Sequence, residues 1–305
     1  MPVNEFNQPV GDPVLNWQAR DYPQRVTLTG PRCRLEPLAV HHAAALWQAF
    51  QTAPDARHWT WLPHPPPPDE PAFHQLIASA ATLNDPLHFA VIDAVSQQPV
   101  GRLALMRIDS ANGCIEVGHV HFSALMSRTP LATEAHWLLM RYVFDTLGYR
   151  RYEWKCDSLN VPSRKAALRL GFQFEGVFRQ AVVYKGRNRD TAWFSIIDGE
   201  WPLLAQALTQ WLDPANFTAS GQQRQRLEDY RIHISSSTLF TGATPTQGED
   251  DENGISGQQC APLSRTRPGR SDKFSLARQK QPHDPGLAYH PGIFPLTCGL
   301  HDFRR

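Results

Sequence analysis

The segment NVPSRKAALRLGF, residues 160–172, predicts a helix together with both of its ends. Asn160 is a residue type that caps helices by accepting a backbone N–H, and Gly171 is typical of a helix stop because glycine tolerates the left-handed turn there. The runs at 150–157 and 172–184 on either side are typical of strands. The sequence therefore predicts a helix that connects two strands.

Regular elements also fill the chain on both sides of this unit. The predicted strands are 32–38, 87–93, 99–109, 114–122, 150–157, 172–184 and 190–198, and the predicted helices are 40–51, 72–83, 132–149, 160–170 and 200–212. Short polar turns join the three strands within 87–122 into an antiparallel meander, and the last two strands form a hairpin around KGRNR. This order predicts an α/β (α+β) fold in which helices flank a mixed central sheet.

The composition is that of a globular chain with balanced charge. It has 305 residues, 41% of them hydrophobic, and 30 Lys and Arg against 29 Asp and Glu. A net charge of +1 lacks the excess of Lys and Arg that is typical of proteins that bind nucleic acid or an anionic membrane surface. No apolar run is long enough to span a bilayer, and the first residues, MPVNEFNQPVGDPV, lack the pattern of a secretory signal. We therefore expect a cytoplasmic protein with no nucleic-acid or membrane partner.

The distribution of tryptophan separates the folded part of the chain from its end. All nine tryptophans lie in the first 211 residues. The remainder is rich in Ser, Thr, Gln, Gly and Pro and has no sustained apolar period, a composition that cannot bury enough surface to fold. We predict an N-terminal arm at 1–29, one folded domain at 30–230 and a disordered tail at 231–305.

Two segments carry a resemblance to a known family. RTPLATEA at 128–135 follows a strand and opens a helix, and the helix segment 160–172 is followed by Glu175-Gly176. Together they resemble the GCN5-related N-acetyltransferases (GNAT), and within them the ribosomal-protein N-terminal acetyltransferase (Rim) type, over roughly residues 30–200. The resemblance implies the GNAT fold, whose element order matches the predicted one, with acetyl-CoA as co-substrate and no metal.

The resemblance places the pyrophosphate of acetyl-CoA at the start of the helix 132–149. Backbone N–H groups there lack helical partners, and the helix dipole favours an anion. The implied amides are those of Arg128, Thr129, Leu131, Ala132 and Thr133. Two positions depart from the family pattern, because Ser127 replaces Gln or Arg, and Pro130, which has no N–H, replaces Gly. Either the neighbouring amides suffice, or affinity for CoA is reduced, or the segment is an ordinary helix start.

The helix at 160–170 supplies the second part of the implied site. In the resembling family, the residue at Asn160 contacts the pantetheine arm, and the serine at Ser163, or a tyrosine nearby, donates a proton to the departing CoA thiolate. Arg164 and Lys165 could reach the CoA phosphates. The alternatives are a plain helix cap, a first-turn serine and surface charges that contact only water.

Glu116 is the implied general base. The run Ile115–Gly118 matches a Glu-Ile-Gly-Tyr stretch on the central strand of the family. An acceptor ammonium has a pKa of about 8 for an α-amine and about 10 for a lysine, so it must lose a proton before attacking the thioester, and a carboxylate can take it. The alternative is a structural glutamate. Acetyl-CoA is expected beside Val120, His121 and Phe122, with its carbonyl held by a backbone N–H of this strand.

Metal binding is not expected. His119 and His121 form a His-x-His pair, but the sequence places no third ligand, and strand alternation predicts that neither shares a face with Glu116. A core or pocket-lining role is the expected one for both. The five cysteines are odd in number and include no CxxC pair, which argues against structural zinc and against a disulfide framework.

The acceptor is expected between two aromatic segments. Trp59 and Trp61 lie in the proline-rich loop 58–70, where their rings could stack on a side chain or a cation, or could pack the loop against the sheet. Tyr184 and Asp190 flank the opposite side, with Asp190 as a candidate anchor for the amine.

The predicted activity is direct transfer of acetyl from acetyl-CoA to a primary amine, on a peptide N-terminus or an amino-acid-like compound, by a monomer or homodimer. Two alternatives stay open: a non-catalytic module that binds CoA or a peptide, and an acetyltransferase of small molecules such as polyamines. Asp69 and Glu70 are the only acidic residues in 58–83, and this scarcity argues against a polycation.

Overall fold

The computed structural model describes residues 1–232. The strands are β1 (Leu28–Thr29), β2 (Cys33–Pro37), β3 (Leu87–Asp93), β4 (Pro99–Asp109), β5 (Cys114–Phe122), β6 (Arg151–Asp157), β7 (Gln173–Tyr184) and β8 (Arg187–Ile197). The helices are α1 (Ala43–Gln51), α2 (Glu70–Thr82), α3 (Pro130–Arg141), α4 (Val161–Leu170) and α5 (Trp201–Leu212). Of the predicted tail, only Arg231 and Ile232 fall within the described residues, where they end a helical turn at 227–232.

All eight strands form one sheet in the order β1-β2-β3-β4-β5-β6-β8-β7. Every neighbouring pair is antiparallel except β5 and β6, which are parallel. The predicted meander is β3-β4-β5, and the crossover from β5 to β6 passes through α3. The fold is the predicted one, a mixed sheet flanked by helices.

The two faces of the sheet carry separate cores. On one face, α3 and α5 pack over a large apolar cluster that includes Leu103 and Leu105 of β4. On the other face, α1 and α2 cover a smaller cluster that includes Phe50 and Ala90. These are called the α3/α5 face and the α1/α2 face. Glu116 lies on the α1/α2 face, because it pairs with Met106 of β4, and Met106 alternates with Leu105, whose side chain belongs to the cluster on the α3/α5 face.

Most predicted boundaries lie within three residues of the observed ones, and two of the differences change how an element is interpreted. The predicted helix 132–149 is α3 followed by a π-turn at Tyr142–Thr146, so the α-helical part ends early. The predicted strand 190–198 begins at Arg187, because the hairpin turn consists of Lys185 and Gly186 alone, with φ angles of +50° and +69°. Asp190 therefore lies within β8 and not at its start.

The N-terminal arm lies against the turn between β4 and β5. The indole N–H of Trp17 donates to the carbonyl of Ala111 at 2.8 Å, and the backbone N–H of Arg20 donates to Ser110 at 2.9 Å. Among the described residues, no helix has the length and apolar character needed to cross a bilayer.

Candidate active site

The parallel strands β5 and β6 separate partway along their length. They pair from Cys114 and Arg151 to Val117 and Trp154, but β5 continues to Phe122 and β6 to Asp157. Backbone groups that face each other across this opening have no β5–β6 partner and become available to a ligand, while β4 and β8 still pair with the outer edges of the two strands. The predicted cofactor contacts Val120, His121 and Phe122 all lie on the diverging part of β5.

A β-bulge shifts the register of β5 where the divergence begins. Arg102 pairs with His121, whereas Ala104 pairs with Gly118. An advance of two residues along β4 therefore corresponds to three residues along β5, so β5 has one extra residue. His119 occupies the bulge with a φ of +50°. The extra residue moves His121 onto the α1/α2 face, which it shares with Glu116. The prediction that these two side chains lie on opposite faces was wrong, because regular alternation does not hold across a bulge.

Glu116 belongs to a buried network of charges. It is 3% exposed, and its Oε2 accepts a hydrogen bond from Arg107 Nη1 at 2.7 Å and forms an ion pair with Lys155 Nζ at 2.9 Å. Lys155 also pairs with Glu153 at 2.6 Å and lies 3.8 Å from the centre of the Trp193 ring. A carboxylate, an ammonium and a second carboxylate thus follow one another across the α1/α2 face.

Sequence reasoning missed Lys155 and its partners. The signal was the strand RYEWKCD, in which Arg151, Glu153 and Lys155 alternate with buried apolar residues. Charges at every second position of a central strand indicate that one of its faces is polar. Which charge pairs with Glu116 depends on the β5–β6 register, which the sequence leaves undetermined.

The segment before α3, predicted to bind the CoA phosphates, has some of its backbone donors already in use. Arg128 adopts a left-handed conformation with a φ of +64°, and Pro130 occupies the first helical position. No side chain caps this helix, because the Thr129 hydroxyl donates to Met126 at 2.7 Å. The amides of Thr129 and Ala132 donate to the carbonyls of Met126 and Thr129, both at 3.2 Å.

The side chains of Leu131 and Thr133, in the first turn of α3, face the protein interior. Leu131 is partly buried against the large apolar core. The Thr133 hydroxyl, on a residue 4% exposed, accepts a hydrogen bond from Arg169 of α4 at 3.0 Å. Any contact between a ligand and these residues would therefore use the backbone.

The start of α4 lies beside the diverging end of β6. Asn160 Oδ1 accepts a hydrogen bond from the Ser163 N–H at 3.1 Å, which is the predicted cap. Ser163 Oγ accepts from the Trp154 indole N–H at 2.9 Å. Burial raises the pKa of the neighbouring Cys156 thiol, and a side-chain hydrogen bond with Ser163 opposes this rise, so the serine hydroxyl is already engaged. Lys165 is exposed on the outer surface of the helix.

Comparison with known proteins identifies the family. Residues 32–173 match the acetyltransferase (GNAT) domain family. A solved GCN5-related N-acetyltransferase from Brucella melitensis is 50% identical, with 72% of this chain and 100% of that chain covered and a TM-score of 0.71. The chain belongs to the GCN5-related N-acetyltransferase family. Members of this family are acyltransferases that use acetyl-CoA as the acyl donor.

Two further relatives are also acetyltransferases by name. A solved probable GNAT acetyltransferase from Chromobacterium violaceum ATCC 12472 is 43% identical, with 64% of this chain and 98% of that chain covered and a TM-score of 0.60. An uncharacterised N-acetyltransferase p20 from Bacillus licheniformis is 32% identical over 113 residues, which span 37% of this chain and 63% of that protein. These names specify no acceptor, so the acceptor has to be inferred from the residues of this chain.

Trp59, one of the two tryptophans predicted to contact the acceptor, is a core residue of this GNAT domain. It is 5% exposed, and its ring makes an edge contact with His121 at 4.6 Å between centroids. Its carbonyl accepts a hydrogen bond from Lys185 Nζ at 2.6 Å, which ties the proline-rich loop to the β7–β8 hairpin. Trp61 is half-buried and lies in the same loop. Of the two predicted tryptophans, Trp61 is therefore the more accessible to an acceptor.

Tyr184 and Asp190 both form contacts within the protein. The Tyr184 hydroxyl donates to Asp157 Oδ2 at 2.9 Å, and burial followed by this hydrogen bond raises the pKa of the tyrosine. Asp190 Oδ1 accepts from the Gln180 N–H at 2.7 Å and from Asn188 Nδ2 at 2.9 Å, and these bonds lower the pKa of its carboxyl. Asp190 therefore stabilises the irregular part of the hairpin, where Gln180 has a φ of +50°.

One group within residues 1–232 has the composition of a metal site. The ligand atoms of Glu36, His41 and His42 lie within 4.8 Å of one another. Both ring nitrogens of His42 are already engaged, because Nδ1 accepts from the Ala39 N–H at 3.1 Å and Nε2 lies 3.0 Å from Glu36 Oε2. Glu36 also accepts from Arg34 at 2.5 Å. The cluster is explained by these bonds and lies at β2 and the 3-10 turn that follows it, away from the β5–β6 divergence.

Proposed function

We propose that this protein transfers an acetyl group from acetyl-CoA to a primary amine by direct attack, without an acyl-enzyme. The observation that carries the proposal is the divergence of β5 and β6, with Glu116 just before it on the α1/α2 face. Unpaired backbone donors of β5 can hold the thioester carbonyl, and the start of α3 can hold the phosphates. Holding both reactants in this opening supplies much of the rate enhancement through proximity.

In the proposed reaction, Glu116 receives the proton that the acceptor ammonium must lose. The neutral amine nitrogen then bonds to the acetyl carbon and gives up its second proton as the amide forms, and the carbon–sulfur bond breaks to release the CoA thiolate, which takes up a proton to become the free thiol. Ser163, whose oxygen accepts from Trp154, is proposed to relay this proton to the thiolate by exchanging its hydrogen bond with Cys156 for one with the sulfur of CoA. Both ion pairs of Glu116 use Oε2, so Oε1 is the oxygen proposed to accept the proton.

The proposed acceptor is an α-amine, either at a peptide or protein N-terminus as in the Rim type or on an amino-acid-like compound. The segment resemblance at 128–135 and 160–172 supports the Rim type. The scarcity of acidic residues in 58–83, where Asp69 and Glu70 are the only two, supports an α-amine over a polyamine.

The test combines thiol release with the pH dependence of a variant. With acetyl-CoA and a panel of amines and short peptides, the wild type should release free thiol. Glu116→Gln should lower kcat at neutral pH by about 100-fold or more, since general bases contribute on that scale, and should recover partly at high pH. Glu5→Gln, at an exposed position, is the matched control. An unchanged pH–rate profile in Glu116→Gln would remove it as the base.

A second candidate, a non-catalytic CoA-binding module, is favoured by the start of α3. Pro130 has no N–H, and the amides of Thr129 and Ala132 already have carbonyl partners. This candidate predicts that acetyl-CoA raises the melting temperature with no thiol release from any amine. Turnover with any amine in the panel would exclude it.

A further inference from the structure

Arg102 is a buried cation without a counter-ion among the described residues. It is 3% exposed, its Nε has no hydrogen-bond partner, and no carboxylate pairs with it. Burial lowers its pKa to about 10, so it stays positively charged at neutral pH. Arginine is almost never fully buried unless it is paired, because an isolated charge loses its hydration on burial.

Three histidines surround this guanidinium, and none supplies negative charge. Burial and then neighbouring basic groups lower the pKa of His88 to about 3 and that of His119 to about 4, and the pKa of His121 falls well below its usual value. All three are neutral at pH 7. The other groups that act on them are also basic: Arg25 on His88, His64 and Arg107 on His119, and His58 on His121.

The cluster adjoins the proposed catalytic residue. Arg102 and Met106 lie on the same face of β4, where they pair with His121 and Glu116. Four residues along a strand correspond to about 13 Å between these positions. His119 lies between them, since its pKa responds to Arg102 and also to Arg107, which binds Glu116.

The phosphates of CoA do not account for this charge. The loop proposed for them begins α3, which packs on the α3/α5 face of the sheet. Arg102 lies on the other face of the sheet, because its partner on β3 is Ala90, which belongs to the α1/α2 core. The missing negative charge therefore belongs to a group that arrives from the acceptor side.

We propose that Arg102, with His88 and His119, binds a carboxylate or phosphate carried by the acceptor, so that the substrates of this enzyme are amines that also bear an anionic group. This inference rests on the proposed function and specifies its acceptor. A guanidinium binds either anion through two parallel charge-assisted hydrogen bonds, and neutral imidazoles can add a donor each.

The first test compares each anionic amine with its neutral counterpart. The probes are β-alanine against β-alaninamide, Gly-Gly against its amide, and O-phosphoethanolamine against ethanolamine, each assayed by thiol release at pH 7.5. The wild type should prefer the anionic member of at least one pair by about tenfold or more in kcat/KM, as expected for a buried charged hydrogen bond. The carboxylate and phosphate pairs distinguish the two sources of charge. Equal use of both members in every pair would overturn the proposal.

Matched variants test whether Arg102 is the cause of this preference. Arg102→Met should reduce it below about twofold without changing the KM for acetyl-CoA, and Arg102→Lys should give an intermediate value because it keeps the charge but loses the planar fork. Arg226→Met, at an exposed arginine, should behave as wild type. A full preference that persists in Arg102→Met would contradict the assignment.

A binding measurement separates this proposal from the proposed function. β-Alanine, Gly-Gly and O-phosphoethanolamine, added with CoA, should raise the melting temperature of the wild type and not that of Arg102→Met. Such a shift without turnover supports the anion site while the transferase proposal fails. Turnover without preference for the anion supports the transferase proposal and overturns the anion site. If these probes give no shift and no turnover, the anion site is also overturned.

Discussion

Lys155 and Arg102 lie on the same face of the sheet and are similarly inaccessible, with 5% of the lysine side chain and 3% of the arginine exposed. Lys155 contacts two carboxylates and an aromatic ring, whereas Arg102 has no counter-ion among the described residues. A buried charge is tolerated when its partners replace the water it loses. The comparison indicates that Lys155 is satisfied by the fold itself and that Arg102 depends on a ligand.

The largest expected effect is loss of stability on removing Lys155. Lys155→Met leaves Glu116 and Glu153 without the cation between them, and we expect the free energy of unfolding to fall by about 3 kcal/mol, the scale for breaking a buried ion pair. Urea denaturation at pH 7 measures it. Lys165→Met, at an exposed lysine, should change stability by no more than about 0.5 kcal/mol. A similarly small change for Lys155→Met would mean that Arg107 and Arg151 suffice as counter-ions.

The histidines around Arg102 predict a pH dependence of intermediate size. Because the pKa of His88 is about 3 in the folded protein against 6.5 in an unfolded chain, acidification below pH 6.5 protonates the unfolded state first. The stability contributed by the neutral ring is present above pH 6.5 and is lost as the pH falls, at about 1.4 kcal/mol per pH unit. Between pH 6.5 and 5, the wild type should lose about 2 kcal/mol more than His88→Gln. Parallel stability curves for the two proteins would contradict the assignment.

The carboxylate network should respond over a lower pH range. Burial alone would raise the pKa of Glu153, but the hydrogen bonds from Lys155 and Arg151 outweigh it and lower the pKa below the usual 4.5. Its contribution to stability is therefore present above pH 4.5 and is lost as the pH falls through the lowered value. The two regions thus differ in the pH at which each begins to destabilise the protein.

The sequence predicts those features that depend on neighbours in the chain. The cap at Asn160 and the stop at Gly171 are local, and both are present, with Gly171 at a φ of +103°. The helix order and the mixed sheet follow from periodicity together with the family resemblance. Glu116 could be singled out because its motif lies within four consecutive residues.

The features that the sequence does not predict depend on the pairing between strands. The bulge at His119 exists only relative to β4, and its consequence for His121 needs the register of both strands. The pairing of Glu116 with Lys155 needs the β5–β6 register. Arg102 gives no signal in a composition with balanced charge, because what distinguishes it is the absence of a partner in three dimensions.

The smallest expected effect is a gain in stability on removing Arg102, in contrast to the loss expected on removing Lys155. It is the most direct test of the difference between these two cations. Arg102→Met removes an uncompensated charge and inserts an apolar side chain of similar length, so without any ligand it should raise the free energy of unfolding by about 1 kcal/mol. Added anionic acceptor stabilises only the protein that binds it, by RT ln(1 + [L]/Kd), which reaches about 2.7 kcal/mol at a hundredfold excess over Kd. With O-phosphoethanolamine at saturation, the wild type should therefore become the more stable of the two. A decrease in stability for Arg102→Met without ligand would mean that the protein itself satisfies the guanidinium, and the contrast between Arg102 and Lys155 would then disappear.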